Sequence, residues 1–132
     1  MKIEEALYAH LKAHTGLSSL VGTRIYPLVL PQNPTLPAVT YQKISRVGER
    51  VMNSPTVLVT RARFQISCWA TSYSSAKDVA EQIKLALQDY TGLMGGTGGV
   101  QVLDVNVIGE QDIHEPDTGI YHLPVDVMIY HQ

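Results

Sequence analysis

One segment, residues 61–90, constrains the fold more than any other part of the chain: RARFQISCWATSYSSAKDVAEQIKLALQDY. Its first part alternates apolar and polar residues, which predicts a strand whose buried face carries Ala62, Phe64, Ile66 and Cys68. Its second part repeats apolar residues every three or four positions, which predicts an amphipathic helix lying on a sheet. Thr71 or Ser72 is placed to cap that helix. The segment therefore predicts a rigid strand–turn–helix unit.

Similar patterns predict the other elements. A helix is expected over residues 3–14 and a short helical turn over 17–21, with strands over 38–46, 57–69, 100–108 and 120–131. Pro27 predicts that residues 24–30 are an edge strand or extended segment, and Pro124 indicates an edge or a bulge in the last strand. Residues 47–56 are expected to form a hairpin loop, and residues 92–99, with five glycines, a flexible hairpin or loop.

The links between the predicted strands are short, so the sheet is expected to be mostly antiparallel. We predict a single α+β domain over residues 1–132, with about four or five strands and two main helices packed on one face. The opposite face, which includes Arg63, Gln65 and Asp126, would then be uncovered within one copy.

Composition narrows the class of protein. Apolar residues make up 45% of the chain but charged residues only 17%, and the net charge is −2. The low charge fits either a neutral soluble domain or a subunit whose surface is partly covered by other subunits, and we favour the second. The net charge gives no general nucleic-acid footprint. No signal peptide or membrane span is predicted, so the protein is expected to be made in the cytosol and to stay soluble.

Residues that could act in catalysis or bind a metal are scattered along the chain and do not form a known catalytic or metal-binding motif. Cys68 is the single cysteine, which excludes an internal disulfide, and its alternation pattern predicts a buried, inert thiol. The glycine-rich loop precedes a strand and lacks the lysine of a phosphate-binding loop. An acidic turn offers hard-cation ligands but no known ligand spacing, so an exposed acidic tip is favoured; its residues are Glu110, Asp112, His114, Glu115 and Asp117. We therefore expect no enzyme, no cofactor and no metal site.

Four arginines fall close together in the sequence: Arg46, Arg50, Arg61 and Arg63. They lack the interleaved aromatic residues typical of a nucleic-acid site, so a solvated face with ordinary ion pairs is the favoured interpretation.

Several short motifs follow one another in a recognisable order: IEEAL at 3–7, RIYP at 24–27, PQ at 31–32, LPAVTY at 36–41, RFQI at 63–66, CWA at 68–70, Tyr73 with Ala76, and Tyr121 with VDV at 125–127. Their order and spacing resemble a family of small tailed-phage and prophage proteins called tail completion or tail terminator proteins. The similarity spans nearly the whole chain. The two loops at 47–56 and 92–99 depart from the family pattern.

The resemblance implies a structural role without catalysis. Proteins of this kind form a ring, typically a hexamer, on the head-proximal end of the tail tube, where they end tube polymerisation and join the head. The implied partners are further copies of the chain, the tail tube protein and the head–tail connector protein. DNA would pass through the lumen without sequence-specific binding, and the protein would reside in the virion.

On this basis we hypothesise that Arg61, Arg63 and Asp126 lie at the subunit interface or line the lumen. A local ion pair between neighbouring strands is the competing interpretation. Another neck protein of the same particle, such as a head-completion or adaptor protein, is the alternative function. A small enzyme or ligand-binding domain is a third possibility, which predicts a deep pocket with convergent polar groups.

Overall fold

The computed structural model describes residues 1–50 and 57–132. Three helices lie within these ranges: α1 (Ile3–Ala13), α2 (Thr15–Val21) and α3 (Tyr73–Leu87). The strands are β1 (Ile25–Pro27), β2 (Ala38–Arg50), β3 (Val57–Ala70), β4 (Gly92–Met94), β5 (Val100–Glu110), β6 (Ile113–Glu115) and β7 (Ile120–His131).

The described strands form one strongly curled sheet that resembles half of a barrel. The strand order is β1-β2-β3-β7-β5-β4. β6 also pairs with β7, on the same side of β7 as β5. The pairings are antiparallel except that β1 runs parallel to β2. The predicted fold class, a mostly antiparallel sheet of four or five strands with two main helices, is therefore wrong. The sheet is mixed and curled, and the described residues contain seven strands and three helices.

The core lies between the helices and one face of the sheet. On β3 the buried side chains are those that alternation predicted, Ala62, Phe64, Ile66 and Cys68, each fully inaccessible to solvent. Helix α3 buries an apolar stripe against them, and α1 adds a second stripe. The predicted cap of α3 is confirmed, because the Ser72 hydroxyl accepts a hydrogen bond from the Ser75 amide at 3.2 Å.

β1 is held by contacts between residues distant in sequence. The Arg24 guanidinium donates to the Pro37 carbonyl at 2.9 Å, and the Val39 amide donates to the Arg24 carbonyl at 2.9 Å. These bonds bring the chain on either side of the proline-rich loop together, so that β1 pairs in parallel with the start of β2. The prediction that Pro27 lies on an edge strand is confirmed, since β1 is the terminal strand of the sheet.

Pro124 does not mark an edge, because β7 lies inside the sheet between β3 and β5. The Pro124 carbonyl accepts a hydrogen bond from the Gln111 amide. In an antiparallel strand the nitrogen and the carbonyl of one residue face the same neighbouring strand, so the Pro124 nitrogen, which has no hydrogen to donate, also faces Gln111. Gln111 lies in the gap between β5 and β6. The proline therefore coincides with a break in the neighbouring strand, where a ladder donor is not needed.

The glycine-rich segment is a hairpin in which β4 pairs with β5. Two of its glycines are required by close approach. Gly95 has φ +92°, and a Cβ there would meet Ala6 of α1 at about 3 Å, while a Cβ on Gly99 would overlap the Met94 carbonyl oxygen. The predicted loop at 47–56 is shorter than expected because β2 continues to Arg50, and its remainder, residues 51–56, lies outside the described residues.

Candidate assembly surface

The face of the sheet opposite the core is polar along β3 and β7. Alternation turns Arg61, Arg63 and Gln65 of β3 away from the buried side chains, and Asp126 of β7 lies on the same face. The Arg63 guanidinium donates from Nη2 to Asp126 Oδ2 at 2.8 Å. The structure thus brings together two of the three predicted site residues as an ion pair, and Arg61 lies two positions from Arg63 on the same face.

Toward one end of this outer face, β3 and β7 carry a stacked pair of rings. Trp69 and His122 are direct partners across the strands, with ring centroids 3.9 Å apart and planes 7° from parallel. The Trp69 indole donates to the Thr40 hydroxyl of β2 at 2.9 Å. Burial lowers the pKa of His122, because the charged imidazolium loses hydration there. The stack and this hydrogen bond connect three strands, and no pattern of neighbouring residues singled out His122.

The outer edge of β2 is open over most of its length. Among the described residues, β1 pairs with β2 only as far as Tyr41, and no strand pairs with the outer side of β2 beyond it. A bulge falls at Ile44, which is 45% exposed, and Val47 is 47% exposed. An open strand edge with exposed apolar side chains is a surface that soluble proteins normally protect. Sequence reasoning missed it by ending the strand at 46.

Part of the predicted acidic turn forms the strand β6, and its side chains contact α3 through ion pairs and a hydrogen bond. Lys77 Nζ lies 3.0 Å from Asp112 Oδ1, and the Tyr73 hydroxyl donates to Asp112 Oδ2 at 2.7 Å. The hydrogen bond from Tyr73 is the largest cause that lowers the pKa of Asp112, and the bond from Lys77 lowers it further. The bond to Asp112 in turn raises the pKa of Lys77. Lys84 lies 3.4 Å from Glu110. Within the described ranges, no group of three His, Cys, Asp or Glu side chains could hold a metal ion.

Three side chains that could take part in catalysis, Cys68, His10 and His14, are either buried in the core or in contact with another helix. Cys68 is buried in the core, which raises the pKa of its thiol well above the usual range. His10 lies 2.7 Å from the Ala86 carbonyl and His14 lies 3.2 Å from the Gln82 amide oxygen, so both histidines join α1 to α3. They do not converge on a common ligand position.

The cavities that the described residues line include two that open at the surface. One of about 270 Å³ lies on the outer face, lined by Gln65, Gly109, Glu110, Gln111, Pro124 and Asp126. The other, of about 300 Å³, lies where β1 ends and is lined by Glu4, Pro27, Leu28, Tyr41, Gln42, Lys43 and Phe64. Neither cavity is lined by a Ser, Thr or Cys side chain, and the Lys43 ammonium in the second is held in an ion pair with Glu4. In the part of the chain that the structure describes, no helix is long and apolar enough to cross a membrane.

The described chain is a curled sheet with one helix-covered face, one polar face and an open strand edge. The chain belongs to the family described as tail completion protein gp17, which matches residues 5–132. The predicted family resemblance is therefore confirmed, and the protein is a structural component of the tail or neck of a phage-like virion.

A solved structure supports the fold. The chain is similar to a chain in the virion of a native gene transfer agent (GTA) particle, with a TM-score of 0.73 and 15% sequence identity. The match covers 98% of this chain and 93% of the other. No curated protein matches the chain.

Proposed function

We propose that this protein caps the head-proximal end of the tail tube, ends tube polymerisation and provides the surface that joins the head. Membership of the tail completion family over residues 5–132 is the observation that carries this proposal. The similar chain in a gene transfer agent virion agrees with a role inside a phage-like particle. The working form would be a ring, with a hexamer as the expected size, through which DNA passes without sequence-specific contacts.

The shape of the chain supports a role in assembly. A closed ring needs two different surfaces on each subunit that fit each other and close by rotation. The polar outer face and the open edge of β2 are surfaces that the helices leave uncovered. Arg61, Arg63 and Asp126 lie on that outer face, and we propose that they contact a neighbouring subunit or line the lumen. The competing interpretation is that Arg63 and Asp126 serve only as a local ion pair.

Electron microscopy of the protein with the tail tube subunit from the same phage or prophage tests the proposal. We expect rings at one end of each tube and tubes that no longer elongate after the protein is added. Binding to the portal-side connector with no binding to tube ends would instead identify a head-completion or adaptor protein. Binding to neither partner would contradict a role in the neck.

The contribution of Arg63 on the outer face is tested in the same assay. Arg63→Glu should abolish capping and head joining if Arg63 contacts a neighbour, because it places two acidic side chains together at a desolvated contact. Asp78, exposed on α3, provides a matched control as Asp78→Lys. Unchanged capping and joining by Arg63→Glu would leave the local ion pair as the only role of Arg63.

A further inference from the structure

Charge is unevenly distributed along this chain although its net charge is only −2. We call residues 42–50 of β2 with residues 57–63 of β3 the basic arm; it contains five Lys and Arg residues and one acidic residue. We call residues 110–117 the acidic edge; it contains four acidic residues and no Lys or Arg. The two surfaces have opposite charge.

The near ends of the two surfaces are close, because Arg63 is paired with Met128 and Glu110 with Val125, three positions apart along β7. Their distant parts, which carry Arg46 and Asp117, cannot meet within one molecule. Arg61 of the basic arm is paired with Tyr130, whereas Glu115 of the acidic edge is paired with Ile120, ten positions away along β7. At about 3.3 Å per residue, this separation is about 33 Å. They also lie on opposite sides of β7, since β2 and β3 are on one side and β5 and β6 on the other. A direct pairing of Arg46 with Asp117 must therefore join two molecules.

Part of each surface is already neutralised by local partners. Lys43 pairs with Glu4, and Arg63 pairs with Asp126. On the acidic edge, Lys77 and Lys84 of α3 pair with Asp112 and Glu110.

One exposed charged side chain on each surface has no ion-pair partner among the described residues. Arg46 lies on the basic arm and Asp117 lies at the tip of the acidic edge, and both are exposed. Exposed apolar side chains accompany the charges on both surfaces. On the basic arm, Val47 is paired with Arg61 on the outer face and Ile44 lies at the bulge, whereas Arg46 is paired with Ala62 and lies on the other face of the strand. On the acidic edge, Ile113 is exposed.

From this complementarity we infer that the acidic edge of one copy docks on the basic arm of the next copy. The contact is head-to-tail, because the two surfaces differ and lie on opposite sides of the subunit, and this is the type of contact that generates rings. Apolar side chains would supply the buried centre, and the charges would set partner orientation and the rate of encounter. The inference rests on the proposed ring and identifies the two surfaces that form it.

Charge reversal with trans-complementation tests the contact. Four variants are needed: Arg46→Glu, Asp117→Lys, the double variant carrying both changes, and Asp78→Lys as a control of the same chemistry away from both surfaces. Self-association is measured by sedimentation velocity up to about 1 mM protein. Should the wild type associate only on tubes, the same series is measured as ring formation on tube ends. Urea unfolding of each variant establishes that the monomer fold is retained.

We expect each single reversal to lower the association constant at least about tenfold, because it opposes like charges across the contact. The double variant should regain association. An equimolar mixture of the two single variants should also associate, because alternating copies match at every contact. Wild-type association should weaken as salt rises from about 0.1 M to about 1 M. The control should behave as the wild type.

The outcomes separate this inference from the proposed ring. If the wild type forms rings and the single reversals associate normally, or if neither the double variant nor the mixture recovers, the contact lies elsewhere and this inference is wrong. If the wild type forms no ring either alone or on tube ends, the proposed function itself is contradicted.

Discussion

The two faces of β3 have opposite roles, although they alternate residue by residue along one strand. Ala62, Phe64, Ile66 and Cys68 point into the core and are inaccessible to solvent. Arg61 and Arg63 point to the other face, where no helix covers them and they are partly exposed. The covered face accounts for the stability of the single chain, whereas the outer face is available to other molecules. Substitutions on the two faces should therefore affect different measurements.

The largest effect is expected from Phe64→Ala, at the centre of the covered face. Phe64 is the largest fully buried side chain of the core, and its truncation leaves a cavity between β3 and the helices. The free energy of unfolding should fall by about 3–5 kcal/mol. Urea unfolding followed by far-UV circular dichroism measures this loss. Phe64→Leu is the matched control and should lose less; equal losses would mean that the cavity does not determine the cost.

Cys68→Ser should have the next largest effect, on the same face. The substitution places a hydroxyl where the thiol has no exposure to solvent, and an unpaired buried hydroxyl costs about 1–3 kcal/mol. Cys68→Ala removes the sulfur without adding a polar group. A comparison of the two by urea unfolding separates polarity from volume, and a smaller loss for serine than for alanine would contradict the apolar character of this position.

Local sequence patterns correctly predicted which side chains lie on each face of β3. The alternation from Ala62 to Cys68, the apolar stripe of α3 and the Ser72 cap each depend on residues within a few positions of one another, and all three were found as expected. The outer-face positions of Arg63 and Asp126 followed from the same alternation. Their ion pair did not follow from it alone, because it depends on β3 and β7 being neighbours although the two residues are 63 positions apart.

The errors concern elements that distant contacts determine. β6 has three residues, which is too short for a hydrophobic period to be recognised, and it was expected only as a turn. β1 and β4 are equally short, and the sequence predicted them only as an edge strand or extended segment and as a hairpin or loop. The parallel pairing of β1 depends on the bond from Arg24 to the Pro37 carbonyl across the proline-rich loop. β2 extends past Gly48, a turn-forming residue, because Gly48 is paired with Thr60 of β3. The open edge of β2 was missed for this reason.

The outer face should contribute little to the stability of the isolated chain. Arg63→Ala removes an ion pair whose partners are 41% and 29% exposed, so the free energy of unfolding should change by about 0.2–1 kcal/mol. A double-mutant cycle with Asp126→Ala measures the interaction itself, and added salt should reduce it. A loss as large as that of Phe64→Ala would show that the outer face is also part of the core, and the contrast between the faces would fail.

The smallest change in the free energy of unfolding is expected from His122→Phe, at a position where the outer face is partly buried. Burial lowers the pKa of His122 below its ordinary value of 6.5, so on acidification the unfolded chain takes up the proton first. The contribution to stability is therefore fully present above pH 6.5 and is lost as the pH falls toward the pKa of the folded state. His122→Phe keeps a ring against Trp69 but cannot titrate, so urea unfolding should show a weaker loss of stability on acidification. If His122→Phe and the wild type lose stability equally between neutral and acidic pH, the stacked pair is hydrated like the rest of the outer face.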